Sequence, residues 1–400
     1  MKLKFSILLC GLLSTAALAK TPLVLLSIDG FAHRYIEQYQ PKSLINMAQQ
    51  GTSAKALLPV FPSKTFPNHL SIITGQYPIN HGIVHNDFFH RDIKKEYNLG
   101  DGRKDARWLT AEPLWYINEM QGNTSAVYFW PESEAPVNNR TASHYYPYKH
   151  FTPNQERLEQ ILTWLRLPEN ERPNFIAGYF ASVDDAGHDY GENSPQLIKA
   201  IDDLDKLLTR FIETMNTEFL GQVNLVIVSD HGMTKIGPNS VIKWQNMQID
   251  KVRVVNGSTQ LYLYSDDKLA LNKSISLFKD QQSKENIEKY KVYQKPNFPQ
   301  HWHLDNITAA TPDAIIDALP SYIFDKGDKH IDPETHGYDP KYQRDLDAIF
   351  IATGPAFKKG VQVKAFENIH ILPILTRALG LTDVKNIDGN YELATKIVSK

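Results

Sequence analysis

Residues 22–30 read PLVLLSIDG, an unbroken apolar run that ends in an acid and a glycine. A strand with one wet face alternates apolar and polar residues. A run without alternation is the pattern of a strand buried on both faces, as in a parallel sheet covered by helices. The pattern recurs along the chain. Residues 175–183 (FIAGYFASV) end in Asp184, residues 225–229 (LVIVS) end in Asp230-His231, and residues 348–352 (AIFIA) run into Thr353-Gly354-Pro355. Helical patterns lie between them: 43–50, stopped by Gly51; 154–166, with Leu158, Ile161, Leu162 and Leu165 on one face; and 195–215, with Leu197, Ile201, Leu204 and Leu208 at helical spacing. Strands alternating with helices predict an α/β fold, three layers α/β/α around a mainly parallel central sheet. Ligands of such sheets bind beyond the carboxyl ends of the strands. Asp29, Asp184 and Asp230 each follow such an end, so they should converge.

Two stretches look like additions to this core, at about 88–148 and 235–332. The second contains 252–264, which alternates like a solvent-facing strand. Neither is set off by linker-like composition, so both belong to one domain, residues 20–400, and are expected to build its ligand pocket.

The 42% hydrophobic content of the 400 residues suffices for a sizeable core. Residues 1–19 stand apart: Lys2 and Lys4, an apolar stretch at 5–13 too short to span a bilayer, then Ala17-Leu18-Ala19. This is the layout of a signal peptide cleaved between Ala19 and Lys20, and it predicts a periplasmic or secreted protein. The single cysteine, Cys10, lies inside it. The mature chain therefore has no disulfide, thiolate ligand or cysteine nucleophile, which suggests a bacterial periplasm. Without the leader, 41 basic residues face 45 acidic ones. That balance argues against bulk nucleic acid as a partner. The apolar run 369–381 is short and broken by Pro373 and Arg377, so no transmembrane segment is expected in the mature chain. The pattern does not specify an oligomeric state.

The polar residues expected around the strand ends form a chemical set: Asp29, Thr65, Asp184, His188, Asp230, His231 and His336. Nitrogen and oxygen donors without sulfur suit zinc at an open site. Seven donors divide between two ions, and a pair of ions about 4 Å apart can hold the attacking and departing oxygens of a phosphoryl group. Asp184 and His188, four apart, fit one face of a helical turn. Thr65 sits in FPSKTFPNHLSIITG (61–75), where residues 69–74 read as a helix stopped by Gly75. A threonine there is either an N-cap or, beside the ligand set, a nucleophile activated by metal. Lys64 beside it would offset phosphate charge or stand in solvent. His69, His81 and His85 read as structural.

These segments resemble the nucleotide pyrophosphatase/phosphodiesterase family of the alkaline phosphatase superfamily over nearly the whole mature chain. The resemblance is carried by LLSIDGF (25–31), FPSKTFPNHLSIITGQYP (61–78), HGIVHND (81–87), DDAGHDYG (184–191), SDHGM (229–233) and THGYD (335–339). It implies two Zn2+ per chain. Asp184, His188 and His336 would hold one, and Asp29, Asp230 and His231 the other, with Thr65 near or bridging both. It further implies that Asn86 and the Thr65 N–H bind a phosphate oxygen, and that Phe66 and Tyr148 stack on a nucleotide base, Tyr145, Tyr146 and Phe151 being nearby competitors. The implied reaction is phosphodiester or pyrophosphate cleavage of a small-molecule nucleotide. Thr65 attacks phosphorus, and the phosphothreonine is then hydrolysed to release a nucleoside monophosphate. Ser182-Val183 departs from the Glu-Pro of many members, and the cysteine-rich accessory domains of animal members have no counterpart. Alternatives within the same chemistry are a phospholipid head-group phosphodiesterase and a phosphomonoester or phosphonate hydrolase. The latter would need a further cation such as Arg34 or Arg91. A non-catalytic zinc-binding protein is the alternative outside it.

Overall fold

The computed structural model describes residues 21–327 and 331–399. The leader at 1–19, its cysteine and the Ala19-Lys20 junction lie outside the described residues. A central sheet of eight strands runs in the order Val361–Val363, Thr52–Ala54, Phe350–Thr353, Asn224–Val228, Leu23–Ile28, Phe175–Phe180, Ser125–Tyr128, His144–Tyr146. Leu23–Ile28 is flanked by parallel neighbours on both sides, with Leu23 opposite Phe175 and Asn224. Phe350–Thr353 is antiparallel to both of its neighbours. The sheet is thus mainly parallel, as the apolar runs imply.

The unbroken apolar pattern has a direct cause. Leu23 and Leu25 enter one hydrophobic cluster, while Val24, Leu26 and Ile28 enter another on the opposite face. The helices Thr65–Thr74 and Ile371–Leu379 cover the first face; Asn154–Leu165 and Pro195–Phe219 cover the second. Each fully buried aliphatic side chain of this kind contributes about 1.5–3 kcal/mol of transfer free energy. The polar residue on this strand, Ser27, is buried with its hydroxyl 2.8 Å from His69 Nε2.

Several boundaries differ from the sequence expectation. The strand expected at 175–183 stops at Phe180, and Ser182–Tyr190 is a helix. Asp184 therefore lies within a helix rather than at a strand end, and stands one helical turn from His188 as their spacing implies. The stretch 252–264 is a hairpin, Arg253–Asn256 paired with Gln260–Tyr264. Its second strand is buried throughout, because it lies inside a four-stranded sheet with its own core and only its first strand alternates. The first addition is narrower than expected: Ser125–Tyr128 pairs with Phe175–Phe180 and belongs to the central sheet. Four residues are too few to show a period.

Candidate active site

The carboxyl ends of neighbouring parallel strands bring the acids together. Asp29 follows Leu23–Ile28, and Asp230-His231 follow Asn224–Val228. Gly30, at φ 67, turns the chain away so that its N–H reaches Asp230 Oδ1 at 3.2 Å. A Cβ on Gly30 would lie 2.7 Å from Asp184 Oδ1. Both the left-handed turn and the close approach require glycine.

Six of the predicted donors form two groups, within each of which one ligand atom per residue lies within 4.8 Å of the others: Asp29, Asp230 and His231, and Asp184, His188 and His336. In the first, His231 Nε2 is 2.9 Å from Asp230 Oδ2 and 3.5 Å from Asp29 Oδ1. In the second, His188 Nε2 is 3.6 Å from Asp184 Oδ2, and His336 Nε2 is 4.0 Å from Asp184 Oδ1. The groups touch, with the His231 and His336 rings stacked at 3.6 Å. This is the division that the resemblance implies.

The donor chemistry fits cations. Asp29 Oδ1 and Asp184 Oδ1 are buried with no hydrogen-bond partner among the described residues. Uncompensated buried carboxylates cost several kcal/mol each. Burial and the charges of Asp230 and Asp184 hold the Asp29 carboxyl well above its ordinary range. Burial would raise Asp230 too, but His231 and His69 outweigh it and hold that carboxyl well below. Burial, with His231 and Lys64 nearby, pushes His336 well down, towards the neutral imidazole that binds metal. The outer ring nitrogens are engaged: His336 Nδ1 with Ser63 O at 2.9 Å, His231 Nδ1 with Gly232 O at 3.1 Å, His188 Nδ1 with Asp332 Oδ2 at 3.1 Å. An Nδ1–H donor turned outward leaves Nε2 of each ring as the lone-pair donor facing the site. The Tyr179 hydroxyl donates to Asp29 Oδ2.

Thr65 is the first residue of the helix Thr65–Thr74, and Lys64 is its N-cap without a side-chain cap bond. The N-cap alternative for Thr65 therefore falls. Its Oγ1 is 3.3 Å from His231 Nε2. The helix mouth offers donors to an anion. There the Phe66 N–H is taken by Asn86 Oδ1 at 3.1 Å, and Pro67 has none, which leaves the N–H of Thr65 itself. With its oxygen so engaged, Asn86 has its amide N–H groups for a ligand.

A cavity of about 530 Å³ opens over these residues. Asp29, Thr65, Phe66, Asn86, Tyr148, Asp184, His188 and His336 line it, and Asp230 and His231 lie behind. Of the competing aromatics only Tyr148 does so; Phe151 is 92% exposed and points elsewhere. Lys64 neither lines the cavity nor stands in solvent. It is buried, donates from Nζ to His336 O, and burial lowers its pKa to about 7. Arg34 is engaged with Glu192 and Arg91 with Asp313, both away from the cavity. His69 is structural in a specific sense: Nε2 meets Ser27 Oγ at 2.8 Å, and Nδ1 is 2.9 Å from Thr65 O. Sequence reasoning missed Leu99, Arg103, Glu132, Glu134 and His150, which also line the cavity. They sit in turns and one three-residue 3-10 helix, Asp101–Arg103, where no periodicity marks a face.

The profile of the family described as type I phosphodiesterase/nucleotide pyrophosphatase matches residues 23–339. Venom phosphodiesterase of Naja atra is 31% identical over 382 residues, 92% of this chain and 45% of that protein. Ectonucleotide pyrophosphatase/phosphodiesterase family member 1 of Homo sapiens is 30% identical over 381 residues, 91% of this chain and 40% of its own length. The chain thus spans under half the length of these curated relatives. Among solved structures, human ectonucleotide pyrophosphatase/phosphodiesterase 5 superposes with a TM-score of 0.86 at 27% identity, covering 95% of this chain and all of that one.

Proposed function

The chain belongs to the type I phosphodiesterase/nucleotide pyrophosphatase family, and from that premise we propose that it hydrolyses phosphodiester and pyrophosphate bonds of nucleotides, using two divalent cations and Thr65 as the nucleophile. One observation carries the proposal: Thr65 Oγ1 stands at a helix N-terminus, on the cavity wall, beside two abutting groups of oxygen and nitrogen donors. The donor set, without sulfur, favours zinc in both groups. Bound cations would supply Lewis-acid stabilisation of the phosphoryl and hydroxyl oxygens.

The chain's own residues do the rest. Thr65 Oγ1 gives up its proton to solvent and attacks phosphorus, and the bond to the departing alcohol or phosphate breaks in line with it, the departing oxygen leaving as the anion or taking a proton from water. The Thr65 N–H and the Asn86 amide hold a non-bridging oxygen whose charge grows in the transition state. Water then cleaves the phosphothreonine, returning the threonine hydroxyl and releasing a nucleoside monophosphate. Phe66 and Tyr148 supply faces on which a base of any identity stacks. Export to the periplasm or medium, with loss of residues 1–19, belongs to the same proposal, and N-terminal sequencing of the mature protein tests it.

Comparing p-nitrophenyl thymidine monophosphate, p-nitrophenyl phosphate and p-nitrophenyl phosphorylcholine, each with and without chelator, tests the activity. The thymidylate ester should be cut fastest and chelator should stop it. Faster cleavage of either other ester, or indifference to chelator, overturns the assignment.

A further inference from the structure

Glu132 sits in the cavity wall and is only 4% exposed, at φ 59. That backbone region is one glycine enters freely and other residues rarely do. A non-glycine residue persists there when its surroundings over-determine it. Its surroundings are specific. Glu132 Oε1 accepts from the Tyr97 hydroxyl and from the Gly102 N–H at 3.3 Å. Gly102 lies so close that a Cβ would sit 2.1 Å from Glu132 Oε2. Gly102 is flanked by Leu99, Gly100 and Arg103 of the cavity lip, and Tyr97 meets the Phe66 ring edge-on at 6.4 Å. One buried carboxylate thus ties the lip to the wall and steadies the ring beneath Phe66.

We infer that Glu132 is a positioning residue that sets the width of the slot receiving the planar nucleoside half of the substrate. It does not touch the phosphoryl centre. The inference rests on the nucleotide assignment above. A slot held by one carboxylate between two loops discriminates planar bases from substrates that lack one, and the phosphoryl chemistry beside Thr65 does not depend on it.

Glu132→Gly relieves the backbone and deletes the tie, so misfolding is not the expected outcome, and the melting temperature reports it. KM and kcat are measured on p-nitrophenyl thymidine monophosphate and on methyl p-nitrophenyl phosphate, which has a methyl group in place of the nucleoside. Glu132→Gly should raise KM for the thymidylate ester about tenfold, near the worth of one stacked base. On the base-free diester kcat/KM should change less than about twofold. Glu132→Gln, which still accepts from Tyr97 and Gly102, should restore most of the difference. Gly102→Ala, which pushes the lip off the carboxylate, should reproduce it without altering Glu132. Equal losses on both diesters, or unchanged KM in both Glu132→Gly and Gly102→Ala, overturn the inference. A wild-type enzyme with no preference for the thymidylate ester overturns the nucleotide assignment itself. A preference that survives Glu132→Gly and Gly102→Ala overturns only the positioning role.

Discussion

The two donor groups meet across one ring stack, yet different parts of the fold hold them. Asp29, Asp230 and His231 are fully buried and lie directly beyond two adjacent parallel strands whose register pairs Leu23 with Asn224. Their positions follow from the sheet's hydrogen-bond ladder. Asp230 is further backed by His69, 3.3 Å from Oδ2. Of Asp29, Asp230 and His231 only Asp29 reaches the cavity wall, whereas Asp184, His188 and His336 all line the cavity. Two of them ride on a helix, and the third follows a two-strand ribbon, Glu334–Thr335 against Thr234–Lys235. The outer partner of His188, Asp332, is partly exposed. The contrast teaches a division of labour. The strand ends of the central sheet fix the group beside the nucleophile, and a helix and a short ribbon beyond them fix the group that faces substrate.

The largest effect should come where the groups meet. Thr65→Ala is expected to lower kcat at least about 1,000-fold with metal content unchanged, because no other hydroxyl replaces the attacking one. Turnover within tenfold of wild type would end the covalent route. Cation removal comes next. Chelator should lower the melting temperature by about 5 °C, since bound ions stabilise only the folded state. Asp230→Asn should abolish most of that shift, whereas His188→Ala should keep much of it while losing turnover. Equal behaviour of the two variants would erase the proposed difference between the groups.

A smaller effect tests how far the open group leans on the inserted sheet. Gln260 donates both to Asp317 Oδ1 at 2.7 Å and to the carbonyl of Gly337, next to His336. Burial pushes the Asp317 carboxyl up to about 8. A raised folded-state pKa means its stability contribution is fully present below about pH 4 and is lost as pH rises through about 8. Asp317→Asn has no proton to lose there. Its melting temperature should fall less than that of wild type between pH 5 and 8, by about 3 °C; parallel curves would contradict the assignment. The smallest expected effect is at the cavity mouth. Tyr148 is 43% exposed, so Tyr148→Ala should raise KM for the thymidylate ester about fivefold with kcat little changed. A fall in kcat alone would move Tyr148 out of base binding.

What could be read in the sequence follows the same divide. A strand buried on both faces lacks the apolar/polar alternation of a half-exposed one, so the runs before Asp29 and Asp230 mark the buried group directly. For the open group the helical spacing of Asp184 and His188 is legible, but the end of the strand before them is not. The apolar run continues through Val183, and nothing in FASV shows that the strand ends at Phe180, because a short buried strand and a buried helix turn share the same composition. Lys64 misled because a lysine is assumed to be wet; its burial depends on a carbonyl 272 residues away. The lip at Leu99 to Arg103 and its tie to Glu132 depend on contacts across some thirty residues of irregular chain. The sign available in advance was a glycine at 102, one among many.

The central claim is that six side chains, drawn from distant parts of the chain, grip two divalent cations at the foot of Thr65. Elemental analysis of the purified protein tests it most directly. Two divalent ions per chain, falling to one in His188→Ala, is the predicted result. Protein that holds no divalent ion and still cleaves a nucleotide diester at full rate would contradict it.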